Sequence, residues 1–121
     1  MKFWLIVGAF FSALSVLLGA FGAHGLKSKV TPESLSIFEI GVRYQMYHSL
    51  ALILIGLIGY HFPHNAIIHS AYFMLSGIMI FSGSLYLLAL LNIKWLGAIT
   101  PIGGMCFIIG WLLLAFNIYR S

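Results

Sequence analysis

The chain has 121 residues, of which 62% are hydrophobic and 7% are charged, whereas a soluble domain is roughly half apolar and about a quarter charged. So few charges cannot cover a water-facing surface, and with a mean hydropathy of +1.08 the composition predicts an integral membrane protein. Glu33 and Glu39 are its only acids and Cys106 its only cysteine, which excludes Asp-based mechanisms and an intrachain disulfide and argues against carboxylate-rich metal sites. The six Lys and Arg residues are scattered, so we expect no nucleic-acid partner.

The first apolar run extends from Phe3 to about Ala23 without a charge. A bilayer core about 30 Å thick needs roughly 20 apolar residues in a helix, so this run predicts the first span. It is longer than the apolar region of roughly 7–15 residues in a secretory signal, and we expect an uncleaved helix. Small residues recur at helical spacing on one face, which predicts close packing against a neighbour: Gly8, Ser12, Ser15, Gly19 and Gly22.

The second predicted helix begins at Thr31-Pro32-Glu33, which offers an N-cap hydroxyl, a proline at the first helical position and an acid in the first turn. A helix from Pro32 to Tyr60 would be about 43 Å long at 1.5 Å per residue, longer than the hydrocarbon core is thick. We therefore predict a span over about 41–60 with an interfacial extension from residue 32, and Gly41 is a candidate bend.

The third predicted span covers about residues 66–91 after a short turn at 61–65, and the fourth covers about 95–119. The Thr100-Pro101 pair indicates either a helix that begins at Pro101 after an interfacial segment, or an earlier start with a kink at Pro101. Small residues again mark packing faces: Ser70, Gly77 and Ser84 in the third span, and Gly103, Cys106 and Gly110 in the fourth. The predicted fold is all-α, a single domain over residues 1–121 that forms a four-helix integral membrane bundle with short loops.

Polar residues concentrate in the first half of the second span. Glu39 and Arg43 are spaced as a favourable helical ion pair, while Gln45 and His48 project roughly 160 to 200 degrees away from them at 100 degrees per residue. Such a helix must be surrounded there by protein or by a water-filled vestibule. The candidate residues of this polar cavity are His24, Glu39, Arg43, Gln45, His48, Ser82, Ser84 and Thr100.

Two interpretations of this cluster stay open. In the first, the cavity binds a small solute or relays protons, because ionisable residues inside a membrane are functional candidates. In the second, Glu39 and Arg43 are a structural pair, and Gln45 and His48 form hydrogen bonds across helices to backbone or hydroxyl partners.

The remaining histidines offer weaker signals. His61, His64 and His69 lie near one turn and have the ligand type of a metal site, but no carboxylate or thiol accompanies them. A His24–His48 pair on a haem would require two residues at different depths. We therefore expect no metal and no cofactor.

Four segments occur in order along the chain: Gly19–Leu26 (GAFGAHGL), Gly41–His48 (GVRYQMYH), Phe81–Tyr86 (FSGSLY) and Thr100–Gly104 (TPIGG). In these segments the sequence resembles the YgdD/YwdK family of small bacterial membrane proteins, a family of unknown function with relatives in eukaryotes. The resemblance covers essentially the whole chain and implies a four-span inner-membrane protein. It implies no substrate, cofactor or catalytic residue.

The function expected from these observations is that of a small, non-enzymatic, multi-pass protein of the cell's inner membrane, which stabilises the membrane or envelope or binds a partner. The lipid bilayer surrounds it, and the candidate partners are a second copy or another membrane protein. The alternative is a transporter or channel-like protein for a small solute or protons, which would use the cavity around Glu39, Arg43 and His48. Small four-span multidrug transporters have a carboxylate in the first span, and this chain has none there.

Overall fold

A computed structural model describes residues 1–62 and 64–121, without the side chains at 64 and 66. Residue 63, in the predicted turn at 61–65, therefore lies outside the described residues, and the backbone of the third predicted span is helical from His64. Within the described ranges all regular structure is helical, which confirms the all-α prediction. The helices are α1 (Lys2–Phe21), α2 (Pro32–Ile58), α3 (His64–Gly77), α4 (Gly83–Leu91) and α5 (Thr100–Arg120), with π-helical turns at Gly22–Leu26 and Ile78–Ser82 and a 3-10 helix at Lys94–Ala98.

Two antiparallel helix pairs make up the bundle. Helix α1 lies along α2, with Gly8 beside Ile53 and Gly22 beside Phe38. Helix α3 and the π-helical turn after it lie along α5. Helix α2 also contacts α3, α4 and the π-helical turn at Ile78–Ser82, so it is the central element of the fold.

Small residues bring the paired backbones together, as their spacing predicts. A Cβ atom at Gly8 would lie 2.7 Å from the Ser49 carbonyl oxygen, and one at Gly103 would collide with the backbone of Phe81. The small residues of α3, α4 and α5 face inward as well: Ser70, Gly77, Ser84, Gly103 and Gly110 are buried. Helices surrounded by lipid associate through such close packing, because lipid tails and apolar side chains are equally hydrophobic.

Helix ends follow local chemistry. The Thr31 hydroxyl accepts a hydrogen bond of 3.1 Å from the Ser34 backbone N–H, and Pro32 occupies the first turn of α2, which confirms the predicted start. Helix α2 then continues through Gly41 to Ile58 without interruption. Helix α4 ends at Asn92, whose φ of 56° is left-handed, a conformation that asparagine tolerates better than most residues.

The segments predicted as the third and fourth spans are each divided into shorter helical elements. The segment expected as one helix over 66–91 is divided by the π-helical turn, and the 3-10 helix precedes α5 as a separate turn. Of the two interpretations of Thr100-Pro101, the structure matches the helix that begins at this pair, because α5 starts at Thr100 with Pro101 in its first turn.

The interior is apolar with embedded polar groups, and the outer surface is also apolar. Leu52, Ile55, Ile67 and Met74 are among the fully buried side chains of the core. Large apolar residues on α1, α2 and α5 are exposed, a distribution that would be a liability in water. Three segments are long and apolar enough to cross a membrane, Lys2–Leu26, Ile67–Leu91 and Lys94–Arg120; α2, which carries the charged and polar residues, is not among them.

Candidate functional site

Gln45 is the polar centre of the bundle and is 2% exposed. Its side-chain Nε2 donates a hydrogen bond of 2.9 Å to the Phe11 carbonyl on α1, and its Oε1 accepts one of 2.5 Å from the Tyr86 hydroxyl on α4. The Ser15 hydroxyl donates to the same Phe11 carbonyl at 2.9 Å. One amide side chain therefore connects α2 to two neighbouring helices.

His48, one turn further along α2, is 5% exposed and uses both ring nitrogens. Nδ1 lies 2.8 Å from the Tyr44 carbonyl oxygen, and Nε2 lies 3.0 Å from the indole Nε1 of Trp111 on α5. A carbonyl only accepts and an indole N–H only donates, so these partners require the neutral tautomer with its proton on Nδ1. The Phe107 ring stacks on the imidazole at 3.5 Å between ring centroids and 12° between planes. An imidazolium would turn a second N–H towards the Trp111 donor, so the site fits a neutral ring.

The three hydroxyl groups of the predicted cavity, Ser82, Ser84 and Thr100, form hydrogen bonds of their own. The Ser82 hydroxyl donates to the Gly41 carbonyl at 2.7 Å, which joins the π-helical turn to α2. The Ser84 and Thr100 hydroxyls lie 2.6 Å apart, between α4 and the start of α5. These are interhelical bonds of the kind that the structural interpretation predicts, although Gln45 and His48 find other partners than these hydroxyls.

Three of the eight predicted cavity residues lie on the outer surface. Glu39 and Arg43 are exposed on the face of α2 opposite to Gln45 and His48, and His24 is exposed in the π-helical turn after α1. Glu39 and Arg43 border a groove of about 200 Å³ beside Gly19 and Val42. Within residues 1–62 and 64–121, the two charged side chains form no ion pair with each other or with another residue, so the expected pair is not closed in this structure. Gln45, His48, Ser82 and Ser84 are thus buried, Ser84 pairs with Thr100, and the charges lie outside.

Comparison with known proteins identifies the relatives of this chain. Residues 18–104 match the model of a family described as "Protein of unknown function (DUF423)". The chain belongs to this family. It is 48% identical over 120 residues to a UPF0382 membrane protein of Staphylococcus haemolyticus, covering 99% of this chain and 98% of that protein. It is 43% identical over 115 residues to the UPF0382 membrane protein YwdK of Bacillus subtilis, covering 94% of each.

These relatives confirm the resemblance to the YwdK family and make this DUF423 chain a member of a family of membrane proteins. The match with a UPF0382 membrane protein of Staphylococcus epidermidis reaches 50% identity over 114 residues, 94% of this chain and 93% of that protein. No solved structure is significantly similar to the chain.

Sequence reasoning on this DUF423 chain missed three partners of the polar centre: Tyr86, Phe107 and Trp111. The sequence carried a signal for two of them. Tryptophan and tyrosine in spans are concentrated at the membrane interfaces, whereas Tyr86 and Trp111 occur within apolar runs. A buried tyrosine or tryptophan needs a partner for its O–H or N–H group, so both positions pointed to a polar group on another helix.

Three grooves on the described part of this DUF423 chain lie away from the polar centre. A groove of about 690 Å³ is lined by residues of α3 and of the second half of α5: Asn65, His69, Phe73, Leu113, Phe116, Asn117, Arg120 and Ser121. A second, of about 400 Å³, lies beside Thr31 and Lys94. Neither these two nor the groove beside Glu39 is lined by Gln45 or His48. No cluster of three metal-ligating side chains occurs among the described residues, and the side chain of His64 lies outside them.

Proposed function

We propose that this chain is a non-enzymatic, multi-pass protein of the cell's inner membrane that acts by association, stabilising the membrane or binding a membrane partner. The single observation that carries the proposal is the closure of the polar centre. The side chains of Gln45 and His48 are hydrogen-bonded to three neighbouring helices, and neither lines any of the three grooves described above.

A transport path makes different demands. A solute or proton needs polar groups that face a water-filled cavity and can exchange partners. In this bundle Ser49 is fully buried and its hydroxyl donates to the Gln45 carbonyl at 2.6 Å. Both nitrogens of His48 are occupied by a carbonyl and an indole. These contacts favour association over transport.

The four-span arrangement is part of this proposal. Helix α2 has 27 residues, which corresponds to about 40 Å at 1.5 Å per residue, enough to cross a hydrocarbon core of about 30 Å. It lies antiparallel to the apolar helix α1 along most of its length, from the pair Gly22–Phe38 to the pair Gly8–Ile53. Because α2 lies beside α1 over this length, we expect it to cross the membrane together with α1.

Flux measurements on reconstituted vesicles test the proposal against the transport alternative. Purified protein in vesicles loaded with a pH-sensitive dye or with small solutes should give the same flux as empty vesicles. Flux that is present in the wild type and abolished in His48→Ala or Glu39→Gln would contradict the proposal and support the alternative.

Thiol labelling tests the closed interior directly. In a Cys106→Ser background, Ser49→Cys places a thiol of nearly the same size beside Gln45, and Lys29→Cys serves as the control in an exposed loop. A water-soluble methanethiosulfonate reagent should modify Lys29→Cys in vesicles but reach Ser49→Cys only after denaturation. Rapid labelling of Ser49→Cys in vesicles would reveal a water path and refute the closed interior.

A further inference from the structure

The outward face of α2 carries two charges at the edge of the span predicted over 41–60. Gly19 on α1 lies level with Val42 on α2, since a Cβ atom at Gly19 would be 3.4 Å from the Val42 side chain. Gly19 precedes Lys27, the first charged residue of the following loop, by eight residues, about 12 Å along the helix axis at 1.5 Å per residue. Arg43 therefore lies just inside the span predicted over 41–60, and Glu39 lies one turn nearer to the loop, at the edge of that span.

Such charges are costly when they face lipid. Charged residues in or next to spans almost always face protein or water. Here both side chains are exposed, and neither has an ionic partner within the described part of the chain. The single chain thus leaves uncovered the surface that most needs a partner.

The rest of this face has the spacing of a helix-packing seam. Arg43, Tyr47, Leu50, Leu54 and Leu57 are spaced by four, three, four and three residues, and all are exposed. Such alternation sustained along a helix forms one seam that matches a facing helix. The opposite faces of α2 are already packed on α1, α3 and α4, so this seam is the face that remains available.

We propose that the seam of α2, defined by Glu39 and these five residues, binds the same seam of a second copy of this chain. The proposal rests on the proposed function, because it names the partner in the association. Around a two-fold axis along the membrane normal, the Glu39 carboxylate of each copy meets the Arg43 guanidinium of the other. Because the two residues are four apart, their difference in depth is about 6 Å, which an extended arginine side chain spans.

Charge complementarity favours a second copy over other occupants. The seam carries one acid and one base, so it is complementary to itself in a two-fold dimer, in which the same patch is used twice. An anionic lipid headgroup would neutralise Arg43 but would repel Glu39. Below the charges, the seam offers only Tyr47 and three leucines, which suits a helix–helix contact.

Disulfide cross-linking in vesicles at a low protein-to-lipid ratio tests the seam. In the Cys106→Ser background, Leu50→Cys lies in the seam, and Leu112→Cys on α5 is a matched control because Leu112 is also exposed and apolar. Oxidation should produce a covalent dimer for Leu50→Cys and little for Leu112→Cys. Equal yields at the two positions, or a seam that cross-links only to another protein, would overturn the proposal.

Charge reversal then tests the pairing of Glu39 with Arg43. In the Leu50→Cys background, Glu39→Lys alone and Arg43→Glu alone each place like charges opposite each other twice, and we expect the dimer yield to fall about tenfold or more. Reconstituting the two variants together makes both pairs attractive again and should restore a mixed dimer to about the original yield. Restoration also shows that both variants fold.

Two results would refute the ionic pairing: single reversals that cross-link as well as the unreversed protein, or a mixture that stays monomeric. These failures are distinguishable from a failure of the proposed function. If the protein stays monomeric while Ser49→Cys is protected from labelling and the vesicles show no flux, the dimer proposal is wrong and the proposed non-transporting function still stands.

Discussion

The hydrogen bond between Gln45 and Tyr86 offers the sharpest test of how the bundle is stabilised. Tyr86→Phe removes only the hydroxyl that donates to Gln45 Oε1, and Gln45→Leu removes that bond together with the Nε2 bond to the Phe11 carbonyl. The Phe11 carbonyl keeps the Ser15 hydroxyl in either variant. The two substitutions therefore isolate one interhelical bond in a double-mutant cycle.

The expected magnitudes follow from measured membrane hydrogen bonds, which average about 0.6 kcal/mol and reach about 1.7 kcal/mol. Tyr86→Phe should lower the free energy of unfolding by about 0.6–1.7 kcal/mol, because it leaves a buried amide oxygen without a donor. Gln45→Leu loses two bonds and should cost about 1–3 kcal/mol on the same basis. The double variant should be less destabilised than the sum of the single variants by about 0.6–1.7 kcal/mol.

Steric trapping in bilayers, or reversible unfolding in mixed micelles, measures these free energies. Tyr72→Phe is the control, since Tyr72 is exposed on α3 and its substitution should change stability by less than about 0.5 kcal/mol. If the two single effects simply add, within about 0.3 kcal/mol, then Gln45 and Tyr86 are not coupled and the proposed stabilisation by this bond is wrong.

Three further substitutions test the packing and the helix ends, each by the free energy of unfolding. Gly103→Ala should lower the free energy of unfolding by about 1–3 kcal/mol, because its methyl group meets the Phe81 backbone. Gly83→Ala is the control and should be neutral or stabilising, since there is open space around Gly83. Similar losses at both sites would contradict this packing. Ser70→Ala should leave stability unchanged or raise it, since the buried Ser70 hydroxyl has no hydrogen-bond partner among the described residues, and a large loss would indicate a partner. Thr31→Ala should lower the free energy of unfolding by about 1 kcal/mol, because it removes the N-cap of α2. Thr31→Ser keeps the capping hydroxyl and should keep most of that stability. Equal losses in the two variants would argue against capping.

Sequence reasoning succeeded where one helix determines the answer. The start of α2 follows from the local chemistry of Thr31 and Pro32, and the structure has the predicted cap. The rotation of 100 degrees per residue likewise separates Glu39 and Arg43 from Gln45 and His48, and the structure finds the two groups on opposite faces. The rotation along α2 does not tell which of the two faces packs against protein, because that depends on the neighbouring helices.

The identity of the hydrogen-bond partners required the relation between helices. Hydroxyls at Ser82, Ser84 and Thr100 were plausible partners for Gln45 by residue type, but Gln45 bonds to the Phe11 carbonyl and the Tyr86 hydroxyl. The partners of Gln45 depend on how far α1 and α4 are shifted along the axis of α2. No residue pattern within α2 encodes that shift. The interruption of the third span is equally invisible in composition, because Ile78–Ser82 is as apolar as its flanks.

Because of that interruption, the continuous helical segment from α3 to α4 presents different faces to its neighbours before and after the π-helical turn. A π-helical turn accommodates one residue more than an α-helical turn, so it shifts the angular phase of everything that follows. Before it, Met74 and Gly77 are aligned with α5; after it, Tyr86 is aligned with α2. Deleting a single residue from Ile78–Ser82 would straighten this segment, rotate α4 by about 100 degrees and carry the Tyr86 hydroxyl away from Gln45.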